Sequence, residues 1–383
     1  MKSTLCLLMS LLTLSILAGV PGGVRAETPP PLTLTRDGRP AATIVLAAEP
    51  TRVAQLAAFE LQAHIKLISG AETPIVRGTG TVAGVRILVG ESDATRALGL
   101  RGADFRPQEY LVRFSPDVVV LIGRDKDDRG PVKYDFADPL LYETWPDFYD
   151  DQGSLYAAYA FLEQCCGVRW YNPTELGTVT PRQPTLTVRA EEIRRRPFMD
   201  TRMTFTGNLN ADFDLDNCLW TAKDSPGVAS FEAASFPALQ RQFTNAFQRT
   251  LAKRTANGIF LRRMRAGGAK RWANHSLYGY YARFWEQSAD VSAAKVFVAR
   301  NPDMFAQGYS NEAVPPQMCY TSRELIERVA QDARDYFDAK GFTAERAVPG
   351  SGVYAGTMWG PDCFAVEPMD NDSYSAARPA GSG

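Results

Sequence analysis

The chain has 383 residues, with 42 Lys and Arg against 43 Asp and Glu for a formal net charge of −1, and 45% hydrophobic residues. That is globular composition, with enough apolar material for two cored domains. A near-neutral balance lacks the basic footprint of a nucleic-acid binder, and the one basic run, Arg194-Arg195-Arg196, reads as a solvated linker.

Residues 1–26 read as a secretory signal peptide. Lys2 supplies the positive start, 5–20 is apolar, and Val24-Arg25-Ala26 offers cleavage after Ala26. The apolar run falls short of a bilayer span, so no stable membrane insertion is expected after cleavage and the expected location is secreted or periplasmic. With Cys6 in the leader, the mature chain keeps Cys165, Cys166, Cys218, Cys319 and Cys363. An odd number leaves at least one thiol unpaired, and none has zinc-ligand spacing, so no disulfide, metal or cofactor is expected.

Residues 29–31 are a stiff proline spacer, and 43–47 read as a strand. The spacing of Val53, Leu56, Ala57, Leu61 and Ile65 predicts a helix over 52–67, ended by Ser69-Gly70-Ala71. A second strand covers 86–90, and 110–114 and 118–122 flank Ser115-Pro116-Asp117 as a hairpin. The Tyr/Asp-rich stretch 134–151 reads as a surface loop. Residues 153–173, GSLYAAYAFLEQCCGVRWYNP, predict a helix that stops at Gly167 and runs into a strand at Val168, Trp170 and Tyr171, turning at Asn172-Pro173. This alternation predicts an α/β sandwich over 27–190, and the arginine run with Pro197 marks a linker over 191–198.

Beyond the linker the rhythm lengthens. Strands are predicted at 199–205, 257–261, 318–320 and 364–370, and helices at 236–254 and 322–339. Repeated βα units predict a (β/α) TIM-type barrel over 199–383, incomplete and truncated after about the fourth strand, since a closed barrel takes roughly 250 residues. The tail from Ser375 to Gly383, rich in small residues with Pro and Gly, reads as a truncated or frame-shifted end.

Chemistry in such a barrel collects at the strand ends. Asp370, in Asp370-Asn371-Asp372 after the fourth predicted strand, is the catalytic candidate, as a general acid or hydrogen-bond acceptor. An Asx turn or helix cap is the competing account. Asn274 and His275, beside Tyr278, Tyr280 and Tyr281, are candidate sugar contacts, against a structural histidine. His64, within the first helix, is assigned no role. Arg202, Arg262, Arg263 and Arg265 lie at or just past predicted strands; guanidinium forks suit carboxylates, so Arg202 and Arg262 are candidate contacts for an acidic sugar, with surface charge as the alternative. There is no G-x-S-x-G, H-E-x-x-H, P-loop or strand-bound G-x-G-x-x-G.

The chain resembles a known family. The residues that carry this are Glu60-Leu61-Gln62, Ser69-Gly70-Ala71, Ile87-Leu88-Val89-Gly90, Leu155-Tyr156-Ala157-Ala158-Tyr159, Phe161-Leu162-Glu163 and Gly167-Val168-Arg169-Trp170-Tyr171. Asn274-His275-Ser276, Cys319-Tyr320-Thr321-Ser322 and Pro368-Met369-Asp370 continue the order. They are similar to an exported bacterial family, domain of unknown function 4838, and to the small α/β domain that precedes the barrel in α-glucuronidases and family 20 β-hexosaminidases. The resemblance implies an α/β sandwich like the second domain of hexosaminidases, a glycosidase-type barrel, and action on polysaccharide. In similar hexosaminidases an Asp-Glu pair ends the fourth strand. Here Asp370 stands at the Asp position and Asn371 where the proton-donating Glu would be.

The expected function is therefore an exported glycoside-hydrolase-like protein that binds or acts on polysaccharide by hydrolysis of O-glycosidic bonds. As it stands the chain is expected to be inactive, because hydrolysis takes two suitably spaced carboxyl groups and one is in view. The alternative is a non-catalytic carbohydrate-binding or envelope scaffold protein, with Trp145, Phe148, Tyr149 and the tyrosines at 278–281 as stacking platforms.

Overall fold

The structure is a computed structural model that describes residues 30–78, 80, 82–138, 140–173, 175–202, 245–269, 277–286, 297–308, 316–338 and positions 364, 366, 368 and 374. The predicted leader, Asn274, His275, Asp370, Cys218 and Cys363 lie outside the described residues.

The chain folds as mixed α/β with several sheets. Strand β1 (Leu32–Arg36) forms a small antiparallel sheet with β2 (Arg39–Pro40) and β10 (Leu186–Val188). The main sheet has six strands: β3 (Ala42–Leu46), β4 (Ile75–Arg77), β5 (Val85–Val89), β6 (Tyr110–Ser115), β7 (Val118–Gly123) and β11 (Ile193–Arg195), in the order β11-β6-β7-β5-β3-β4. Strands β4, β3, β5 and β7 run parallel, and β6 and β11 add an antiparallel edge. The arginine run read as a linker thus begins as an edge strand.

Both faces of this sheet are covered, which explains its near-continuous apolar strands. Side chains alternate between the faces. Ile44, Ile87, Val89, Val119 and Leu121 join one core with helices α1 (Arg52–Ser69) and α3 (Gly153–Gln164). Val45, Leu88, Val118, Val120 and Ile122 join a second with Leu100, Phe105 and the short helix α2 (Asp93–Ala97). Helix α1 starts where the Thr51 side chain accepts the Ala54 N–H and stops at Gly70 in the left-handed region, as the sequence predicts. Helix α3 leads through Gly167 (φ +77°) into β8 (Arg169–Trp170), which pairs with β9 (Thr178–Val179).

The second half departs from expectation. One helix, α4 (Ala246–Arg263), runs through both the end of the predicted helix and the whole strand predicted at 257–261. The sequence reads Asn257-Gly258-Ile259-Phe260-Leu261 as a strand. In the fold, Ile259 enters the core of the α/β module, and Gly258 faces the Tyr142 ring, where a Cβ would lie 2.6 Å from Cε2. Tertiary contact overrides local preference here. The strand predicted at 199–205 is represented by β12 (Thr201–Arg202), paired with β13 (Gly267–Gly268). That predicted at 318–320 is a single bridge between Phe305 and Met318. Phe364, Val366 and Pro368 carry no strand. Helix α5 (Tyr278–Phe284) and helix α6 (Arg323–Phe337), capped by Ser322 as predicted, share a small core with Met304 and Phe305. No closed barrel is present among the described residues.

Candidate functional site

In an open α/β sheet the carboxyl ends of the parallel strands form a natural crevice. Here a cleft of ≈ 970 Å³ opens at the ends of β3, β5 and β7, lined among others by Thr51, Glu91, Ser92, Arg124 and Asp125. Gly123, in its lining, lets the start of α3 abut the end of β7; a Cβ on Gly153 would lie 2.7 Å from the Gly123 Cα. Asp125 stands between two helix starts. Its Oδ1 accepts the Ser154 N–H at 2.8 Å, and its Oδ2 accepts the Thr51 hydroxyl at 3.4 Å. Burial pushes this carboxyl up to about 7, so it holds or releases a proton near neutrality. Glu91 behaves oppositely: burial raises it, but the Gly102 N–H and the Arg96 guanidinium outweigh that and keep it ionised.

Several other charges lining the cleft are paired. Arg96 bonds Glu91 and Asp93, Arg124 meets Asp151 at 3.2 Å, and Arg129 bonds Asp127 and the Glu49 carbonyl. No aromatic ring lines the cleft among the described residues. It therefore suits a small polar ligand and offers no platform for stacking a sugar ring. No group of three or more His, Cys, Asp or Glu is placed to hold a metal among the described residues.

A second polar cluster is closed off from solvent. Glu60, on the buried face of α1, receives both Arg263 Nε (2.8 Å) and Nη2 (2.9 Å), and also the Tyr134 hydroxyl. Burial raises the Glu60 carboxyl, but Arg263 and the hydrogen bonds hold it at about 2. His64, one turn on, lies against the Glu60 carbonyl and accepts the Trp170 indole N–H at 3.0 Å. Glu163 on α3 pairs with Arg265. These contacts pin α4 to the α/β module, across the predicted linker.

Of the predicted site residues, Arg202 and Arg262 fall within the described part. Arg262 sits on helix α4, is fully buried, and donates to the Gly258 and Pro146 carbonyls. The rings of Tyr142, Trp145 and Phe148 surround it at 5.3, 5.6 and 5.3 Å from their centroids. Arg202, on β12, donates to the carbonyls of Arg265 and Met199, to Gln108 Oε1 and to the Tyr156 hydroxyl. Both guanidinium groups are engaged inside the protein, and the structure does not bring them together with the cleft. Trp145, Phe148 and Tyr280, read as stacking platforms, are buried, so that reading is corrected for these three: Trp145 and Phe148 wall in Arg262, and Tyr280 bonds Asp332. Tyr149 and Tyr281 are half-buried.

Sequence reading missed Glu60, His64 and Asp125 as interacting groups. Glu60 and His64 carried a usable signal, being polar residues at i, i+4 on the same helix face as Leu61 and Ile65. Asp125 carried none.

No family model and no curated protein matches the chain. Among solved structures it is similar to a family GH115 4-O-methyl-α-glucuronidase with specificity for decorated arabinogalactans, at 16% identity over 45% of this chain and 19% of that one, with a TM-score of 0.28. Two variants of the Streptomyces plicatus β-hexosaminidase in complex with GlcNAc match at 14% identity, over 45% and 46% of this chain and 24% and 25% of theirs, with TM-scores of 0.26 and 0.25. The matched part thus spans a quarter or less of those proteins. Likeness at that level does not transfer an activity.

Proposed function

We propose that this chain belongs to an exported carbohydrate-active protein of glycoside-hydrolase type, in which the α/β module buttresses the part that meets polysaccharide. The reaction class would be hydrolysis of O-glycosidic bonds. The observation that supports this reading is where the resemblance motifs lie. Glu60, Glu163 and Trp170, drawn from three separate motifs, converge on Arg263 and Arg265 of the second half. Motifs used to attach a module to its neighbour are what a two-part glycosidase architecture needs. Asp370 remains the proposed acid and Asn274 and His275 the proposed sugar contacts. This chain is proposed to bind without turnover, because Asn371 stands where the resemblance places the proton-donating Glu, and an amide cannot supply that proton.

Trp145, Phe148 and Tyr280 are not offered as stacking platforms in this reading, since all three are buried. The test combines an aryl glucuronide and N-acetylhexosaminide panel with affinity electrophoresis through acidic and N-acetylated polysaccharides. Retention without turnover, lost in Asp370→Asn and His275→Ala, is the expected result. Turnover by the chain would overturn the proposed inactivity, and neither retention nor turnover would overturn the carbohydrate reading altogether.

A further inference from the structure

His64 is 1% exposed and bridges helix α1 to strand β8. Its Nε2 lies 3.0 Å from the Trp170 indole nitrogen and its Nδ1 lies 2.7 Å from the Glu60 carbonyl oxygen. An indole N–H only donates and a carbonyl only accepts. The ring is therefore neutral with its proton on Nδ1, and Nε2 supplies a lone pair to Trp170. No other protonation state satisfies both neighbours.

We propose that His64 is an acid-sensitive fastener, whose protonation breaks its hydrogen bond from the Trp170 indole and so loosens the tie between helix α1 and strand β8. A proton on Nε2 would turn the only acceptor facing the indole into a second donor, so the bond is lost and two N–H groups oppose each other. The groups around the imidazole resist the added charge. Arg263 on α4 is cationic, and Glu60 on α1, the one opposite charge, already receives Arg263 at both oxygens as well as Tyr134. Tyr134 and, on α3, Tyr159 are kept protonated by burial and add no negative charge. Burial first, and the Arg263 charge with it, hold the imidazole below its usual range against the pull of Glu60.

Strand β8 pairs with β9 at two positions, Arg169↔Val179 and Trp170↔Thr178, in a sheet separate from the main one. Trp170 is itself buried in the main core beside Val168, where the edge of Tyr159 at 5.6 Å between centroids and the Arg263 guanidinium at 5.7 Å also meet it. The exposed neighbours Tyr171, Leu176 and Val179 do not anchor the ribbon.

The chain has two histidines, so ¹⁵N spectra of the full-length protein resolve the question directly. His275→Gln assigns the His64 ring and Trp170→Phe assigns the indole. At pH 7.5 the ring shifts should report a proton on Nδ1. On acidification the Trp170 indole resonance should shift with the His64 ring, at a common midpoint below the ordinary histidine value of about 6.5. In His64→Gln, whose amide oxygen accepts the indole N–H without titrating, that shift should be lost. A proton on Nε2 at pH 7.5, or an equal Trp170 shift in His64→Gln, would overturn the proposal. If His64→Gln does not fold, the wild-type tautomer and the coincidence of the two midpoints decide: separate midpoints overturn it.

Discussion

Replacing Glu60 with glutamine tests the joint that holds α4 to the α/β module. The carboxylate is 0% exposed, and the Arg263 side chain that bonds it at 2.8 and 2.9 Å is 15% exposed. Removing one member of such a pair strands the other charge in a poorly solvated site, at about 3–5 kcal/mol. An exposed pair gives the contrast. Arg323 and Glu327 on α6, at 91% and 64% exposure, should be worth about 0.3–0.5 kcal/mol. The double variant Glu60→Met/Arg263→Met fills the same space without charge and should recover most of the loss. Urea unfolding of the full chain at pH 7, followed by far-UV circular dichroism, reads all of these. The carboxyl is held at about 2 in the fold against 4.5 unperturbed, so its contribution is complete above pH 4.5 and lost as pH falls toward 2. The double variant should lack that acid limb. A Glu60→Gln loss no larger than that of Arg323→Ala would refute the reasoning. Should Glu60→Gln fail to fold, a cooperative transition in the double variant would still uphold it.

Two other predictions rest on separate contacts. Asp125 keeps its proton to about pH 7 in the fold but loses it near 3.8 when unfolded, so stability should decline as pH rises from about 4 to 7. Asp125→Asn keeps the bond from the Ser154 N–H, turns the Thr51 contact into one that its amide donates, and should flatten that part of the profile; urea midpoints at pH 4.5 and 7.5 that differ equally in both proteins would contradict it. Gly258→Ala normally stabilises a helix by about 1 kcal/mol. Here the added methyl meets the Tyr142 ring at 2.6 Å, and that ring packs on Arg262 and Trp145, so a loss of about 1–3 kcal/mol is expected. A raised melting temperature would show that the ring yields freely.

The α/β module was legible from local pattern. The Thr51 cap with its Gly70 stop, the turn at Asp117 (φ +56°), and the Gly167 break before Trp170 are signals written within a few residues of where they act. The second half was not. Residues 257–261 read as a strand, yet α4 runs through them, with Ile259 in the core of the module and Gly258 against the ring of Tyr142, more than a hundred residues earlier. Arg262 and Arg202 have the chemistry of carboxylate ligands, and sequence reading has no means of knowing that aromatic rings and carbonyls from 142–148, 199 and 265 would consume it.

What the sequence determined by itself was the α/β class of the module, its two long helices and its central strands, since hydrophobic period, caps and turns are local properties of the chain; the edge strands β1, β4, β10 and β11 were not among them. Only the tertiary structure decided which polar residues meet. Glu60 finds Arg263 at a separation of 203 residues and His64 finds Trp170 at 106. Such pairings depend on how helices dock over a sheet, and short-range spacing holds no record of that geometry.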